Sequence, residues 1–551
     1  MKMLFRPFLS ALVVAFLFVG CVDRAEDVEM EEITQTKQEP IPAGGYRFAK
    51  PPVPGLEVPP PTDALPPDFN TEDYDLIEEN PFQAVTDHPL STFSIDVDAA
   101  SYSNLRRFLR EGRVPPRDAV RIEELINYFT YDYPDPAADH PFSIITEVGA
   151  APWNAAHQLV HIGLQGKRIP KQDRPASNLV FLLDVSGSMD MPDKLPLLKK
   201  AFRMLVGELT ERDRVAISVY AGAAGLVLPS TPGDQKDVIL ESLDRLEAGG
   251  STAGAEGIQL AYQVVQDNFI EGGNNRVILA TDGDFNVGIS SDGELVRVIE
   301  EKREQGAFLT VLGFGTGNLK DSKMEKLADH GNGNYYYIDG ALEAKKVLVH
   351  ELGSTLLTIA KDVKIQVEFN PTVVAAYRLI GYENRLLADE DFADDTKDAG
   401  ELGAGHTVTA LYEVVPVGVE SDANVRDRGD LRYQDSQLTD AARRSGEMLT
   451  VKLRYKAPDG DTSQLIERPL TMAAPGNEAT SSNFYFSAAV AEFGMILRES
   501  EHKGEATVEQ VLALAKDAQG KDLYGYRAEF IRLVEDYQEI VGDTSPVSDV
   551  R

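Results

Sequence analysis

The sequence predicts an α/β protein in which a doubly wound, Rossmann-like domain is inserted into a β-sandwich-type region, flanked by helical N- and C-terminal segments. Three observations predict this fold class. Apolar strand-like runs alternate with amphipathic helices from 173 to 354, which is typical of a parallel sheet covered by helices. Strand-like segments also occur on both sides of that stretch. The pattern after residue 476 is helical.

Length and charge limit the classes of function. The chain has 551 residues, 43% hydrophobic and 26% charged, so it is long enough for several domains of ordinary globular composition. Its formal net charge of −35 argues against nucleic-acid binding, because phosphate recognition needs a basic surface. The same charge opposes electrostatic adsorption to anionic lipid. By itself it indicates an acidic, well-solvated surface.

The first 21 residues predict a lipoprotein signal peptide. Lys2 and Arg6 precede an apolar run that ends at Gly20 and is too short for an ordinary membrane-spanning helix. Cys21 follows, and as the single cysteine it can form neither a disulfide within the chain nor a cysteine-based zinc site. Residues 18–21 resemble a bacterial lipobox, which implies lipid attachment at Cys21. A plain secretory signal is the alternative.

The residues after the cysteine bear on location. Val22 comes first and Asp23 second. In many Gram-negative bacteria an aspartate directly after the lipidated cysteine retains a lipoprotein in the inner membrane, so the resemblance favours the outer membrane of the cell envelope. Residues 22–73 are rich in acidic residues and proline. Such a composition favours extended chain and cannot bury a core, so we expect a disordered tether.

Residues 74–172 predict a region of helices and strands. The expected elements are a strand over 92–97, helices over 101–110 and 120–129, and strands over 142–148 and 159–165. Asp96, Asp98 and Ser101 lie where the first strand ends and the first helix begins. Their oxygen atoms are of the kind that ligate metals, but acids at a strand end beside a helix N-cap explain them more simply.

Residues 173–354 alternate between strands and helices. Residues 179–183 form a continuous apolar run, as expected of a strand buried on both faces. The helices carry apolar residues along one side. The expected strands span 179–183, 215–219, 277–280, 308–313 and 334–338. The expected helices span 194–208, 235–246, 253–266, 294–305, 321–328 and 341–352.

This alternation stops after residue 354. Residues 355–475 predict an antiparallel β region with strands over 363–369, 372–379, 407–415 and 448–455. Residues 476–545 predict helices over 483–499 and 508–540. The strands before 173 and those after 354 are too few on either side for a stable sandwich. We therefore predict that they pair into one sandwich, with the α/β domain inserted between two of its strands.

Three loops of the α/β domain carry oxygen-bearing side chains. They are Asp184-Val185-Ser186-Gly187-Ser188 after the apolar strand, Gly249-Gly250-Ser251-Thr252 before a helix, and Thr281-Asp282-Gly283 at the end of another strand. A parallel sheet brings such loops to one edge, where open α/β folds bind ligands. Carboxylate and hydroxyl oxygens suit Mg²⁺, Ca²⁺ or Mn²⁺. The candidate ligands are Asp184, Ser186, Ser188, Thr252 and Asp282.

These loops resemble the metal-ion-dependent adhesion site of the von Willebrand factor type A family, and the five candidate ligands match it position by position. The resemblance implies one divalent cation, preferably Mg²⁺, that binds an exposed Glu or Asp of a protein partner. The segments Pro89–Asp98 and Arg121–Phe129 also resemble the bacterial YfbK-like envelope lipoproteins, in which a type A domain lies between two family-specific regions. That second resemblance implies no biochemical activity.

We therefore expect a membrane-tethered envelope protein that is not an enzyme and that binds a protein partner through its metal. Its contact with the membrane is the lipid anchor alone. The alternative is a metal-assisted hydrolase, or a non-catalytic subunit of an envelope enzyme complex. A hydrolase needs a general base near the metal-bound water. The three site loops contain no histidine, and Asp284 is the one candidate base beside them.

Overall fold

The computed structural model describes residues 72, 74–137, 140–250, 254–283, 292–316, 320–351, 356–397, 399–421, 423–426, 438–458, 460–471 and 480–543. The predicted signal peptide with Cys21 and nearly all of the predicted tether lie outside the described residues. Thr252 and Asp284 also lie outside them.

The segment before the α/β domain folds into short strands, helices and a long hairpin. Its elements are β1 (Phe82–Ala84), β2 (Leu90–Ser94), α1 (Ala100–Arg110), α2 (Ile122–Asn127), β3 (Phe142–Ala151) and β4 (Asn154–Gly166). The hairpin strands β3 and β4 are longer than the sequence pattern predicts. Their ends are polar or small residues, which carry little of the alternation that marks a strand.

The α/β domain has the predicted alternation. Its elements are β5 (Ser177–Asp184), α3 (Leu195–Glu208), β6 (Arg214–Tyr220), β7 (Ala224–Pro232), α4 (Lys236–Asp244), α5 (Gly254–Asp267), β8 (Asn274–Thr281), α6 (Asp292–Glu304), β9 (Ala307–Phe314), α7 (Asp321–His330), β10 (Tyr335–Ile338) and α8 (Ala341–Lys345). The helix predicted over 341–352 ends early, and a π-helical turn follows it over Lys346–His350.

The strands of this domain form one sheet in the order β10-β9-β8-β5-β6-β7. All neighbours run parallel except β7, which pairs antiparallel with β6. The expectation of a purely parallel sheet is wrong at this edge. The sequence did not predict β7 because an edge strand needs no buried apolar face, and Leu226 and Val227 are exposed there.

The central strand β5 is buried on both faces, as its apolar run predicts. Leu179, Phe181 and Leu183 share a core cluster with residues of α3. Val180 and Leu182 belong to a cluster on the opposite face, with residues of α5. Helices therefore cover both faces of the sheet, which confirms the doubly wound architecture.

The segment after the α/β domain is first β-rich and then helical. Its elements are β11 (Thr358–Phe369), β12 (Val374–Ile380), β13 (Gly400–Gly403), β14 (Thr407–Pro416), β15 (Val425–Arg426), α9 (Asp440–Arg444), β16 (Glu447–Lys456), β17 (Ser463–Thr471), α10 (Ser482–Leu497), α11 (Val508–Asp517) and α12 (Tyr526–Asp543). The helix predicted over 508–540 is interrupted between α11 and α12. Gly520 and Gly525 have positive φ there, of 58° and 79°, which a helix cannot contain.

Strands from both sides of the α/β domain pair in the sandwich. One sheet has the order β15-β1-β12-β14-β4-β3, and the other contains β13, β11, β16 and β17 with β2 also paired to β11. The pairings β4–β14 and β2–β11 each join a strand before the domain to a strand after it. Phe93 and Ile365 of one sheet share a core with Ile162 and Tyr412 of the other. The predicted insertion is confirmed.

The C-terminal helices complete the fold. Helix α10 is buried over most of its length and contacts both α2 and α11. Among the described residues, no helix combines the length and the apolar character that crossing a membrane requires.

Candidate metal site

Asp184 is the last residue of β5, between β6 and β8 in the middle of the sheet, and it is fully buried. Its Oδ1 accepts a hydrogen bond from the backbone N–H of Ser186 at 2.9 Å. Its Oδ2 accepts from Tyr220 Oη at 3.1 Å and from Thr281 Oγ1 at 3.3 Å. These bonds fix the carboxylate at the carboxyl edge of the sheet, where the sequence predicts it.

The environment of Asp184 opposes its ionisation. Burial raises the pKa of Asp184 to about 6. The negative charge of Asp282 contributes to this rise, while hydrogen bonds from Ser186 and Tyr220 oppose it. A cation beside Asp184 would reverse this balance, because an opposite charge favours the ionised form.

Ser186 and Ser188 lie on the loop that follows Asp184. Their hydroxyl oxygens are 3.0 Å apart. Ser186 is 2% exposed, whereas Ser188 is exposed to solvent. The loop thus presents a carboxylate in the protein interior and a pair of hydroxyls that reaches the surface.

The second predicted loop is hydrogen-bonded to the first. The N–H of Gly249 donates to the carbonyl of Val185 at 2.8 Å, and the N–H of Gly187 donates to the carbonyl of Gly250 at 3.1 Å. Gly250 has φ of +89°, a conformation that favours glycine. Thr252 lies outside the described residues, but the chain that leads to it runs beside the serine loop.

Asp282 follows β8 and is completely buried. Its Oδ2 accepts a hydrogen bond from Lys194 Nζ at 2.9 Å, and Lys194 is itself 6% exposed. The sequence pattern predicted no role in the site for Lys194, or for the hydroxyls of Tyr220 and Thr281 that donate to Asp184. Lys194 stands at the start of α3, and only the folded sheet brings it beside Asp282.

The donor set fits a hard divalent cation. A carboxylate oxygen and two hydroxyls lie close together, beside a second carboxylate and the loop that leads to Thr252. Such oxygens are the ligands that Mg²⁺ and Ca²⁺ prefer. The described residues thus bring together Asp184, Ser186 and Ser188 directly, and Asp282 at the neighbouring strand end.

A second group of charged side chains, six acids and two arginines that are buried or half-buried, lies where α7 meets the segment after β2. We call it the junction cluster: Asp96, Asp98, Arg121, Glu124, Asp321, Glu325, Asp329 and Arg385. Carboxylate oxygens of Asp98, Glu124 and Glu325 all lie within 4.8 Å of one another. Sequence reasoning noticed Asp96 and Asp98 but had no sign of their partners, which come from distant parts of the chain.

Two arginines occupy the junction cluster. Arg385 donates to Asp98 at 3.2 Å, to Glu325 at 2.9 Å and to Asp329 at 2.6 Å. Arg121 bonds Glu124 and also donates to Asp321 at 2.7 Å. Because these carboxylates already accept hydrogen bonds from guanidinium groups, the cluster acts as an internal ion-pair network.

The N-cap explanation of Asp96 and Asp98 is wrong. Helix α1 begins after Ala99 without a side-chain cap, and the N–H of Ser101 donates to Glu124 at 2.8 Å. The carboxylate of Asp98 instead accepts from the N–H of Tyr335 at 2.7 Å, at the start of β10. The acids after β2 therefore tie the N-terminal segment to the α/β domain.

Family models match most of the described chain. The model described as "von Willebrand factor type A domain" matches residues 178–349, and one described as "von Willebrand factor" matches 68–161. The model described as "Uncharacterized protein YfbK, C-terminal" matches 354–540. The matched ranges correspond to the α/β domain and to the segments on either side of it.

The chain is also similar to individual proteins. The chain is 44% identical over 472 residues to "Uncharacterized protein YfbK" of Escherichia coli (strain K12), which covers 84% of this chain and 81% of the relative. It is 27% identical over 185 residues to "Uncharacterized protein sll0103" of Synechocystis sp., covering 34% of this chain and 43% of that protein. A von Willebrand factor type A structure from Catenulispora acidiphila aligns with a TM-score of 0.37 and 17% identity, over 70% of this chain and 88% of that one.

Proposed function

The chain belongs to the YfbK family of von Willebrand factor type A domain proteins, and from that premise we propose that its type A domain binds a protein partner through a divalent cation. The type A domain suggests a role in protein interaction or adhesion. The finer proposal is that Asp184, Ser186, Ser188, Thr252 and Asp282 hold the ion. Mg²⁺ is the preferred ion, and Ca²⁺ and Mn²⁺ are the alternatives.

One observation carries this proposal. The two serine hydroxyls lie 3.0 Å apart beside a buried carboxylate, on a loop whose backbone is bonded to the loop leading to Thr252. This arrangement supports a site in which neutral oxygens outnumber charged ones. Few charged ligands leave a divalent ion electrophilic, so it attracts an external carboxylate. The partner should therefore offer an exposed Glu or Asp.

Access to the site fits a partner that comes from outside. Ser188 and its neighbour Asp190 are exposed, whereas Asp184 and Asp282 are buried. A cation held among these residues would have the protein interior on one side and solvent on the other. A partner carboxylate can reach it from the solvent side despite the net charge of −35, because a bound divalent ion dominates the local field.

The test compares Asp184→Ala with Asp190→Ala. Asp190 is an exposed acid of the same loop. Its replacement removes one negative charge, as Asp184→Ala does, but leaves the buried carboxylate of Asp184 in place. We expect Asp184→Ala to abolish Mg²⁺ binding in titration calorimetry and to abolish capture of the partner from envelope extracts. Asp190→Ala should retain both.

Metal removal gives an independent readout. Excess EDTA should reproduce the loss of partner capture by the unaltered protein, and added Mg²⁺ should restore it. Raising the salt concentration should affect capture far less than EDTA does. The metal-bridge mechanism is wrong if Asp184→Ala captures the partner as well as the unaltered protein does and EDTA has no effect.

We further propose that lipid attached to Cys21 anchors the protein in the bacterial cell envelope, with the outer membrane favoured. The support is the lipobox-like sequence, because Cys21 lies outside the described residues. Cys21→Ser should move the protein out of the membrane fraction, whereas the neighbouring change Val22→Ser should leave it there. A normally processed Cys21→Ser protein that remains in the membrane fraction would contradict the anchor.

A further inference from the structure

Lys194 is a buried cation inside the candidate metal site. Its ammonium lies 2.9 Å from Asp282 Oδ2, and its side chain is 8% exposed while that of Asp282 is wholly buried. A buried lysine is rare unless it is paired, because taking its charge out of water costs several kcal/mol. One of the two acids of the site therefore already has a cationic partner within the chain.

Both the backbone and the side chain of Lys194 are held in place by the surrounding fold. Its N–H donates to the carbonyl of Met191 at 3.0 Å, and its carbonyl accepts from the N–H of Leu198 at 2.8 Å. The stem of the side chain packs on Gly315, where a Cβ would overlap it. Gly315 has φ of +75°, and its carbonyl accepts from Tyr337 Oη at 3.0 Å.

The lysine changes the charge that a cation would meet. Asp184 and Asp282 together contribute −2 when ionised, and Lys194 contributes +1, so the three side chains sum to −1. A divalent ion would bring this sum to +1, whereas without the lysine it would be 0. A positive charge a few ångströms away repels the ion and attracts an incoming carboxylate, by the same Coulomb law.

We propose that Lys194 is a built-in counter-ion of the metal site, which lowers its affinity for the divalent cation and raises the affinity of the loaded site for a carboxylate ligand. This inference rests on the proposed function, since it assigns a role within the same site. With Lys194 present, the site should bind the metal more weakly, and the loaded site should bind an acidic partner more tightly, than the aspartates and hydroxyls would without it.

The experiment measures both affinities in the full-length protein, with Mn²⁺ as the metal probe and acetate as the carboxylate probe. Free Mn²⁺ is followed by electron paramagnetic resonance, and acetate binding by the change in water-proton relaxation of the bound Mn²⁺. Lys194→Met should tighten Mn²⁺ binding by at least about tenfold. The same change should weaken acetate binding by at least about threefold.

Two control variants separate charge from shape. Lys200→Met removes an exposed lysine from the same helix and should change neither affinity. Lys194→Arg keeps the positive charge, so its affinities for Mn²⁺ and for acetate should both stay close to those of the unaltered protein. An unchanged affinity in Lys194→Met, or two affinities that move in the same direction, overturns the counter-ion role. If the unaltered protein binds no Mn²⁺, the proposed function itself fails.

A second pair of variants keeps the test decisive if Lys194→Met does not fold. Asp282→Asn leaves Lys194 facing the site without its carboxylate and should weaken Mn²⁺ binding. Adding Lys194→Met to Asp282→Asn removes both charges of the pair together, which buried ion pairs tolerate better than the loss of one partner. The double variant should bind Mn²⁺ at least about threefold more tightly than Asp282→Asn alone. No gain in affinity would overturn the proposal.

Discussion

The candidate metal site and the junction cluster are both acidic and largely buried, yet their carboxylates have different partners. In the junction cluster, arginine side chains bond several carboxylates at once, and Glu325 Oε1 accepts from both Arg385 and Asn384. In the metal site, acids stand beside neutral hydroxyls and one lysine that bonds Asp282. A planar guanidinium has five N–H donors and can bond several carboxylates at once, whereas an ammonium acts as a compact point charge.

The two regions also differ in how the chain builds them. The serine loop of the metal site reaches the surface at Ser188. The junction cluster lies between three parts of the chain, since Asp98 belongs to the N-terminal segment, Glu325 to α7 and Arg385 to the segment after β12. The comparison teaches that buried acids alone do not indicate a ligand site. In these two regions the acids differ in their hydrogen-bond partners, which are guanidinium groups in one and hydroxyls and an ammonium in the other.

The largest expected effect is the loss of an arginine from the junction cluster. Arg385→Met leaves the carboxylates of Asp98, Glu325 and Asp329 without their shared cation, which should cost about 3–5 kcal/mol of unfolding free energy. Lys326→Met is the matched control on α7, because Lys326 pairs with Asp75 at 3.2 Å where both are exposed. That change should cost less than about 1 kcal/mol. Urea unfolding measures both, and equal costs would remove the distinction between the two regions.

A smaller effect is expected from pH. Burial raises the pKa of Asp96, Asp98 and Glu124, and raises that of Glu325 to about 7. Such groups hold protons in the folded state that the unfolded chain releases near pH 4. Their contribution to stability is therefore complete at low pH and is lost as the pH rises through the folded pKa of each group, which for Glu325 is about 7.

Glu325→Gln tests this pH dependence. Between pH 5 and 8 the unaltered protein should lose on the order of 2 kcal/mol through Glu325. Glu325→Gln should flatten the fall, because the side chain no longer titrates, whereas the exposed change Glu301→Gln should leave it intact. Thermal unfolding at several pH values measures the slope. A slope that Glu325→Gln does not alter would show that this carboxyl is not protonated in the folded protein.

The smallest expected change in stability belongs to the metal site. Asp184→Asn should alter the unfolding free energy in EDTA by less than about 1 kcal/mol, because the side chain keeps its shape at the edge of the sheet. Added Mg²⁺ should raise the unfolding temperature of the unaltered protein but not that of Asp184→Asn, since a ligand stabilises only the state that binds it. A large loss of stability in EDTA would place Asp184 with the structural acids instead.

Local patterns predicted much of this molecule from the sequence. The run over 179–183 predicted the central strand because every residue in it is apolar, and Asp184, Ser186 and Ser188 followed from that strand. The partners of these acids could not be predicted in the same way. Lys194 and Asp282 are 88 residues apart, and Arg385 and Asp98 are 287 apart. The edge strand β7 was missed because its exposed face gives no alternating pattern.

The insertion of the type A domain has a consequence for biosynthesis. Gln165 at the end of β4 pairs with Thr407 at the start of β14, 242 residues later. At a synthesis rate of about 5–20 residues per second, the β3–β4 hairpin waits roughly 10–50 s for this partner. Arg174, Pro175 and Ser177 lead into the inserted domain, Leu356 and Leu357 lead out of it, and all five border one small cavity. Once the inserted domain has folded, its two ends lie close together. The β3–β4 hairpin is then near the place where β14 will be synthesised, so the loop that must close before these strands pair is effectively much shorter than 242 residues.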